Sequence, residues 1–220
     1  MSKRVVLLGP PASGKGTQGR RLAEDLGLAY LSTGALLRSA VEQGSELGKQ
    51  AEPILAKGEY LPDSLMCPIM GEWLSKQAGG WVLDGFPRSL FQADFLASWL
   101  AEHSQKLTAA VLLEAPLDEL LVRLGNRIEC PECRWSGRRQ ELNRADRCPE
   151  CGGVTGPRAD DTPLNFRSRL AEYEEHTLPV VARYEGEGLL RRFDATTGVE
   201  DVEKRLVECI RSLEAHGQAA

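Results

Sequence analysis

The sequence predicts an α/β fold, a parallel five-stranded sheet covered by helices on both faces and interrupted by two inserts. Three observations predict it. Short apolar runs recur between longer segments of helical period. Most of those runs are apolar at nearly every position, as strands covered on both faces must be. The 37 residues from Asn126 to Thr162 lose both periods and carry Arg, Gly, Pro and Cys instead. A structureless loop of that length inside a domain is uncommon, so this stretch reads as an inserted unit.

In chain order, Arg4 to Gly9 (RVVLLG) is the first strand and Lys15 to Leu26 the first helix. A short strand covers Ala29 to Leu31. Helices at Thr33 to Gln43, Glu46 to Lys57 and Asp63 to Gln77 then follow with no strand between them, the first excursion from the sheet. Trp81 to Gly85 (WVLDG) and Ala109 to Ala115 (AAVLLEA) are strands, separated by a helix at Ser89 to Ala101. A helix at Pro116 to Leu124 leads to the cysteine-bearing insert, and one long helix at Leu164 to Glu185 leaves it. Leu189 to Ala195 is the last strand and Val199 to Leu213 the last helix. Right-handed crossovers wind these elements into a doubly covered sheet.

Composition narrows the function. With 220 residues, 42% hydrophobic, the chain has enough apolar material for one large domain carrying inserts. A net charge of -5 argues against a protein that coats nucleic acid or an anionic membrane. VVLLG is too short to span a bilayer and no leader-like segment follows Met1, so a cytoplasmic protein is expected. Of the cysteines, Cys67 and Cys209 are isolated and read as ordinary partly buried thiols.

The loop LLGPPASGKGT joins the first strand to the first helix. Gly9, Pro10, Pro11, Ala12, Ser13, Gly14, Lys15, Gly16 and Thr17 form a phosphate cradle. Glycines let backbone N–H groups approach phosphate oxygens, the helix N-terminus adds positive potential, and Lys15 can bridge the β and γ phosphates. The sheet is therefore of the P-loop NTPase type. Asp84 ends the strand WVLD at the carboxyl edge, where ligands collect, and is placed to orient Mg²⁺ through water.

Cys130-x2-Cys133 and Cys148-x2-Cys151, fourteen residues apart, are two thiolate hooks able to close tetrahedrally on one Zn²⁺. Disulfides between the same cysteines are the alternative, disfavoured in a reducing compartment. Four cysteines leave no open position, so the metal is structural.

The ending Gly14-Lys15-Gly16-Thr17, followed by STGALLRSA (Ser32 to Ala40) and LDGFPRSLFQAD (Leu83 to Asp94), resembles the nucleoside monophosphate kinases, and within them the adenylate kinases. The likeness covers essentially the whole chain. It implies reversible phosphoryl transfer from ATP to AMP giving two ADP, with Mg²⁺ accompanying ATP and a structural Zn²⁺ in a lid. By that resemblance Arg38 and Arg88 grip the AMP phosphate, Gln92 reads the adenine edge and Thr33 lies close to the base. Gly58, Glu59, Tyr60, Leu61 and Gly85 complete the AMP pocket, together with Arg158 and Arg169 from beyond the cysteines. Arg123, Arg127 and Thr196 join the phosphate cradle around ATP. Lys15, Arg88, Arg123, Arg127, Arg158 and Arg169 surround the migrating group. Domain limits follow as 1–29, 62–125 and 163–220 for the core, 30–61 for the AMP-binding insert and 126–162 for the lid.

Four positions depart from the family pattern. Ala12 stands where a glycine is usual. At the lid border the family's Gly-Arg-Arg becomes Asn126-Arg127-Ile128, and Glu129 differs as well. Within the lid, Arg134, Arg138, Arg139, Arg144 and Arg147 read mostly as solvated surface. A UMP/CMP kinase would share loop, lid and arginines, although Thr33 and Gln92 favour AMP. A zinc-ribbon nucleic-acid-binding P-loop protein lacks support, because no aromatic residues interleave with a basic stripe. The expected partners are ATP, AMP and ADP, with no nucleic acid and no membrane, and the protein is expected to act as a monomer.

Overall fold

The computed structural model describes residues 2–139, 142, 146–158 and 160–213. Its centre is set by β1 (Arg4–Leu8), whose alternating side chains are all apolar after Arg4. Val5 and Leu7 pack against α1 (Lys15–Leu26) and α9 (Val199–Ser212), while Val6 and Leu8 join the core on the opposite face. Because both faces are covered, period two is invisible in the sequence of the strand. Each large side chain sealed there contributes about 1.5–3 kcal/mol.

β2 (Ala29–Ser32), β3 (Trp81–Asp84), β4 (Ala109–Glu114) and β8 (Leu190–Asp194) complete a parallel sheet in the order β2-β3-β1-β4-β8. The five strands are those expected, within one or two residues at each end. Ser32 pairs with Asp84, so Tyr30–Ser32 belong to the sheet and the first excursion leaves it at Thr33, not at residue 30. All five carboxyl ends point to one side, which places the turns after Leu8, Ser32 and Asp84 around a common crevice.

The excursion is α2 (Thr33–Glu42) and α3 (Glu46–Lys57), each started by a serine whose hydroxyl accepts from a backbone N–H of the first turn: Ser32 from Ala35 at 3.4 Å, Ser45 from Gly48 at 3.1 Å. α4 (Asp63–Ser75) and α5 (Leu90–Glu102) return to the sheet, α5 capped by Ser89. α6 (Leu117–Asn126) delivers the chain to the cysteine insert. There β5 (Arg127–Glu129) pairs antiparallel with β6 (Ser136–Arg138) on one side and β7 (Gly156–Pro157) on the other.

Thr162 caps α7 (Pro163–Glu172), its hydroxyl accepting from Asn165 N–H at 3.1 Å. The single helix expected from Leu164 to Glu185 is interrupted by a π-helical turn at Tyr173–Thr177 before α8 (Leu178–Gly186). Pro179, the second residue of α8, has no N–H to give to the preceding turn, and its ring crowds the carbonyl four residues back. The wider turn, in which Leu178 N–H reaches Tyr173 O, lets the chain continue past it. Among the described residues no helix is long and apolar enough to cross a membrane.

Candidate active site

The loop after β1 folds over its own lysine. Lys15 Nζ donates to the carbonyls of Gly9 and Pro10, both at 2.7 Å, and reaches Ser13 Oγ at 3.4 Å. Burial lowers its pKa to about 8. Asp84 opposes that shift, while Arg88 and Arg127 add to it. Gly14 (φ 97°) and Ala12 (φ 65°) both hold left-handed backbone. Ala12 therefore occupies a conformation that glycine would adopt without strain.

Asp84 accepts a hydrogen bond from the Tyr30 hydroxyl at 3.1 Å, and burial together with Asp84 pushes that phenol well above its usual range. The next residue, Gly85, has φ 83°, and a Cβ there would sit 2.6 Å from both Thr33 Oγ1 and an Arg88 nitrogen. Only glycine fits between the end of β3 and the arginine that follows. Arg88 Nε donates to Gly85 O at 2.8 Å, and its guanidinium lies over the Tyr60 ring.

From the lid side come three more arginines, each tied to one of two adjacent carboxylates. Arg127 forks onto Asp161, Arg158 forks onto Asp160 at 2.6 and 2.9 Å, and Arg169 also donates to Asp160. Burial alone would raise the Asp160 carboxyl, but the Arg158 fork and the charges of Arg169 and Arg38 hold it well below the carboxylate range. Burial works against the Arg158 cation as well, and its pairing with Asp160 more than offsets that, so it stays protonated. Arg123, on α6, donates to Glu119, to Ser13 O and to Ala195 O, bridging the phosphate loop to the turn after β8.

One cavity collects these groups. Gly9, Pro11, Ala12, Ser13, Gly14, Lys15, Gly16 and Thr17 line it, with Arg38, Gly58, Glu59, Tyr60, Asp84, Gly85, Arg88, Arg123, Arg127, Arg158 and Arg169. Five residues expected at the ligand do not line this cavity. Thr33, 3% exposed, donates its hydroxyl to Gly85 O at 3.0 Å. Gln92, also 3% exposed, is held at both ends of its amide, accepting from Arg88 N–H at 2.8 Å and donating to Asp63 at 2.7 Å. Leu61 is a core residue, and Pro10 contributes its carbonyl to Lys15. Thr196 turns both backbone N–H and hydroxyl to Asp194, leaving Thr197 and Ala195 on the cavity wall. In each case a nearby backbone carbonyl, carboxylate or apolar core claims the group first.

Glu129 and Arg134 line the cavity without having been assigned a role there. Glu129, 8% exposed, lies 3.6 Å from Arg38, 3.7 Å from Arg134 and 3.6 Å from Arg158. Arg134, expected to be solvated, is largely covered and lines the cavity, as does Arg138. Arg139 and Arg147 are on the surface, and Arg144 lies outside the described residues. Ile128 does not enter the cavity. It pairs with Gly137 and Pro157 and is 3% exposed. Strand alternation turns its neighbours Arg127 and Glu129 toward the cavity and sends the buried Ile128 to the opposite face.

The four cysteines converge. The Sγ atoms of Cys130, Cys133, Cys148 and Cys151 all lie within 4.8 Å of one another, and none is in a disulfide. Two matching turns produce this. Cys130 N–H donates to Trp135 O and Arg134 N–H to Cys130 O. Cys148 N–H donates to Gly153 O and Gly152 N–H to Cys148 O. Arg134 (φ 63°) and Gly152 (φ 76°) hold the same left-handed corner. Four thiolates at this spacing suit a tetrahedral metal such as Zn²⁺.

Comparison with known proteins agrees with this geometry. The adenylate kinase family model matches residues 7–189. The chain is 39% identical to an adenylate kinase of Synechococcus sp. over 96% of this chain and 100% of that protein. It is 38% identical to one from Moorella thermoacetica over 90% and 94% of the two chains, and 37% identical to one from Thermotoga neapolitana over 96% and 98%.

Proposed function

The chain belongs to the adenylate kinase family, a phosphotransferase that moves a phosphoryl group reversibly from ATP to AMP to give two ADP, and on that footing we propose how its residues divide the work. ATP, accompanied by Mg²⁺, lays its phosphates on the loop Gly9–Thr17 and Lys15, with Arg123 and the turn at Ala195–Thr197 beside its base. AMP occupies the insert of 33–61, its phosphate between Arg38 and Arg88 and its base against Leu55 and the segment Gly58–Tyr60. The observation that carries this assignment is the single cavity in which Lys15 and five arginines, Arg38, Arg88, Arg127, Arg158 and Arg169, face one another across the space between loop and insert.

The acceptor is an AMP phosphate oxygen, already ionised, so the reaction needs no general base. Catalysis is then alignment and charge neutralisation. Lys15, Arg88, Arg127, Arg158 and Arg169 supply positive charge to equatorial oxygens that gain negative charge in the transition state. Asp160 and Asp161 orient three of those cations before substrate arrives, which lowers the cost of reorganisation. Asp84 would hold Mg²⁺ through the ion's hydration water, where its charge would help neutralise the phosphates. Gln92 acts through Arg88, fixing the backbone from which that arginine projects. The lid over this space excludes water, which would otherwise compete with AMP for the phosphoryl group.

Cys130, Cys133, Cys148 and Cys151 hold one structural Zn²⁺, giving a segment with little apolar core of its own a fixed shape. The protein is read as a cytoplasmic monomer. Initial rates of ADP formation with AMP, CMP, UMP and GMP at fixed MgATP test the assignment. AMP is expected to be the best acceptor. A preference for a pyrimidine monophosphate would overturn the placement of the acceptor base.

A further inference from the structure

Helix α2 and the lid meet through four alternating charges. Arg38 and Glu42, four residues apart, share one face of α2. The lid answers with Glu129 at the end of β5 and Arg134 at the corner of the first cysteine turn. Arg134 forks onto both oxygens of Glu42, one bond measuring 2.9 Å, while Arg38 Nε lies 3.6 Å from Glu129 Oε1. Arg134 is also 3.7 Å from that same oxygen, so the two cross-pairs are joined at the lid. The Arg134 hydrogen bonds hold the Glu42 carboxyl below its ordinary range.

The backbone of Arg134 is anchored independently. Arg20, on α1, donates to the carbonyls of Arg134 at 2.6 Å and Cys133 at 3.4 Å. One cysteine turn thus rests on the helix that begins the phosphate loop and reaches across to the helix that carries Arg38. Glu42 is one turn beyond Arg38. Whatever presses Glu42 to the lid fixes where the Arg38 guanidinium can sit.

We propose that Glu42 and Arg134 are positioning residues that latch the lid to the AMP-binding insert and thereby set the AMP dependence of the reaction without touching the reacting atoms. This rests on the assignment of 33–61 as the acceptor site. The latch is an exposed bidentate pair at Glu42, so its effect is modest and sensitive to salt.

The test is steady-state kinetics on E42Q, R134Q, the double variant E42Q/R134Q, E42R and the exchange E42R/R134E, with metal content and melting temperature measured on each. E42Q and R134Q are each expected to raise KM for AMP about two- to fivefold, with kcat within about twofold of wild type. The double variant should be no worse than the poorer single one. E42R should be worse than E42Q, and the exchange should recover much of the loss. In wild type, 0.5 M NaCl should raise KM for AMP toward the E42Q value and leave E42Q less affected. Unchanged AMP kinetics in E42Q, or single effects that multiply in the double variant, would overturn the latch. E42Q and E42R lie outside the cysteine insert, so they decide the question even if substitution of Arg134 disturbs the metal site. Wild-type saturation by AMP tests the acceptor assignment separately, because the coupling between residues 42 and 134 can be measured with any monophosphate that the enzyme accepts.

Discussion

Arg88 lies over the face of Tyr60, its guanidinium carbon 4.4 Å from the ring centroid, with Nε held by Gly85 O. The ring sits at the start of the segment after α3, so this contact aims an arginine of the core from the acceptor insert. Such a stack contributes about 0.5–2 kcal/mol. Tyr60→Leu is expected to raise KM for AMP about 2- to 20-fold, whereas Tyr60→Phe, which keeps the ring, should stay near wild type. Equal losses in both variants would point to the Tyr60 hydroxyl and its contact with Thr177 instead.

Lys15 gives the ligand-free enzyme a pH signature. Its folded pKa, about 8, is below the ordinary lysine value of 10.5. Below pH 8 the lysine is charged in folded and unfolded chains alike. Between about pH 8 and 10.5 the folded chain binds fewer protons, so this group's contribution to stability rises with pH across that window. Bound ATP restores the charge, and binding at pH 8.5 should therefore take up about three-quarters of a proton. Calorimetry of ATP binding at pH 8.5 in buffers of different ionisation enthalpy measures that uptake. Lys15→Arg should abolish it, since arginine remains charged there.

Replacing Lys15 by Met should lower kcat by about a hundredfold or more, the scale of losing one donor to developing charge, while the melting temperature changes little. A coupled ADP assay beside a thermal melt separates the two effects. Near-normal turnover would remove Lys15 from the reaction.

Ala12 holds φ 65°, where an L-residue with a Cβ is strained by about 1–2 kcal/mol. Ala12→Gly relieves that strain but loosens the unfolded chain, so a net gain of about 0.5–1 kcal/mol is expected. Denaturant unfolding of both proteins reads it.

Stripping the metal with a chelator under reducing conditions should lower the melting temperature and expose lid amides to exchange before those of the central sheet. Metal affinity in so small a unit is folding free energy. Analysis of a fresh reduced sample should find about one zinc per chain. No metal together with an unchanged melt would refute the site.

How much of this was legible beforehand differs residue by residue. VVLL and AVLL declare strands because covering both faces demands apolar residues throughout. The helices after Ser45, Ser89 and Thr162 were legible from their apolar period, while the hydroxyl caps at those three residues emerged only in the structure. The π turn at Tyr173–Thr177 was not legible, since only Pro179 hints at it and a proline can equally end a helix. Gln92 and Thr33 were legible as residue types, and the structure adds their partners. A motif fixes the residue type at a position, but Asp63 and Gly85 O decide where the polar group points. Glu129 and Arg134 were obscure for another reason. Their partners, Arg38 and Glu42, are about ninety residues away on the other insert, and no local pattern records that meeting.

Helix α1 has a consequence for how this enzyme can vary. Lys15 opens it at the glycine-rich loop and Arg20, little more than one turn later, receives the lid. Inserting or deleting one residue between them would rotate Arg20 by about 100° and shift it by about 1.5 Å, swinging it away from the carbonyls of Cys133 and Arg134. Substitutions on the exposed side of α1 leave that alignment alone. Over evolutionary drift this segment should therefore accept changes of residue type far more readily than changes of length, even though both would leave it helical.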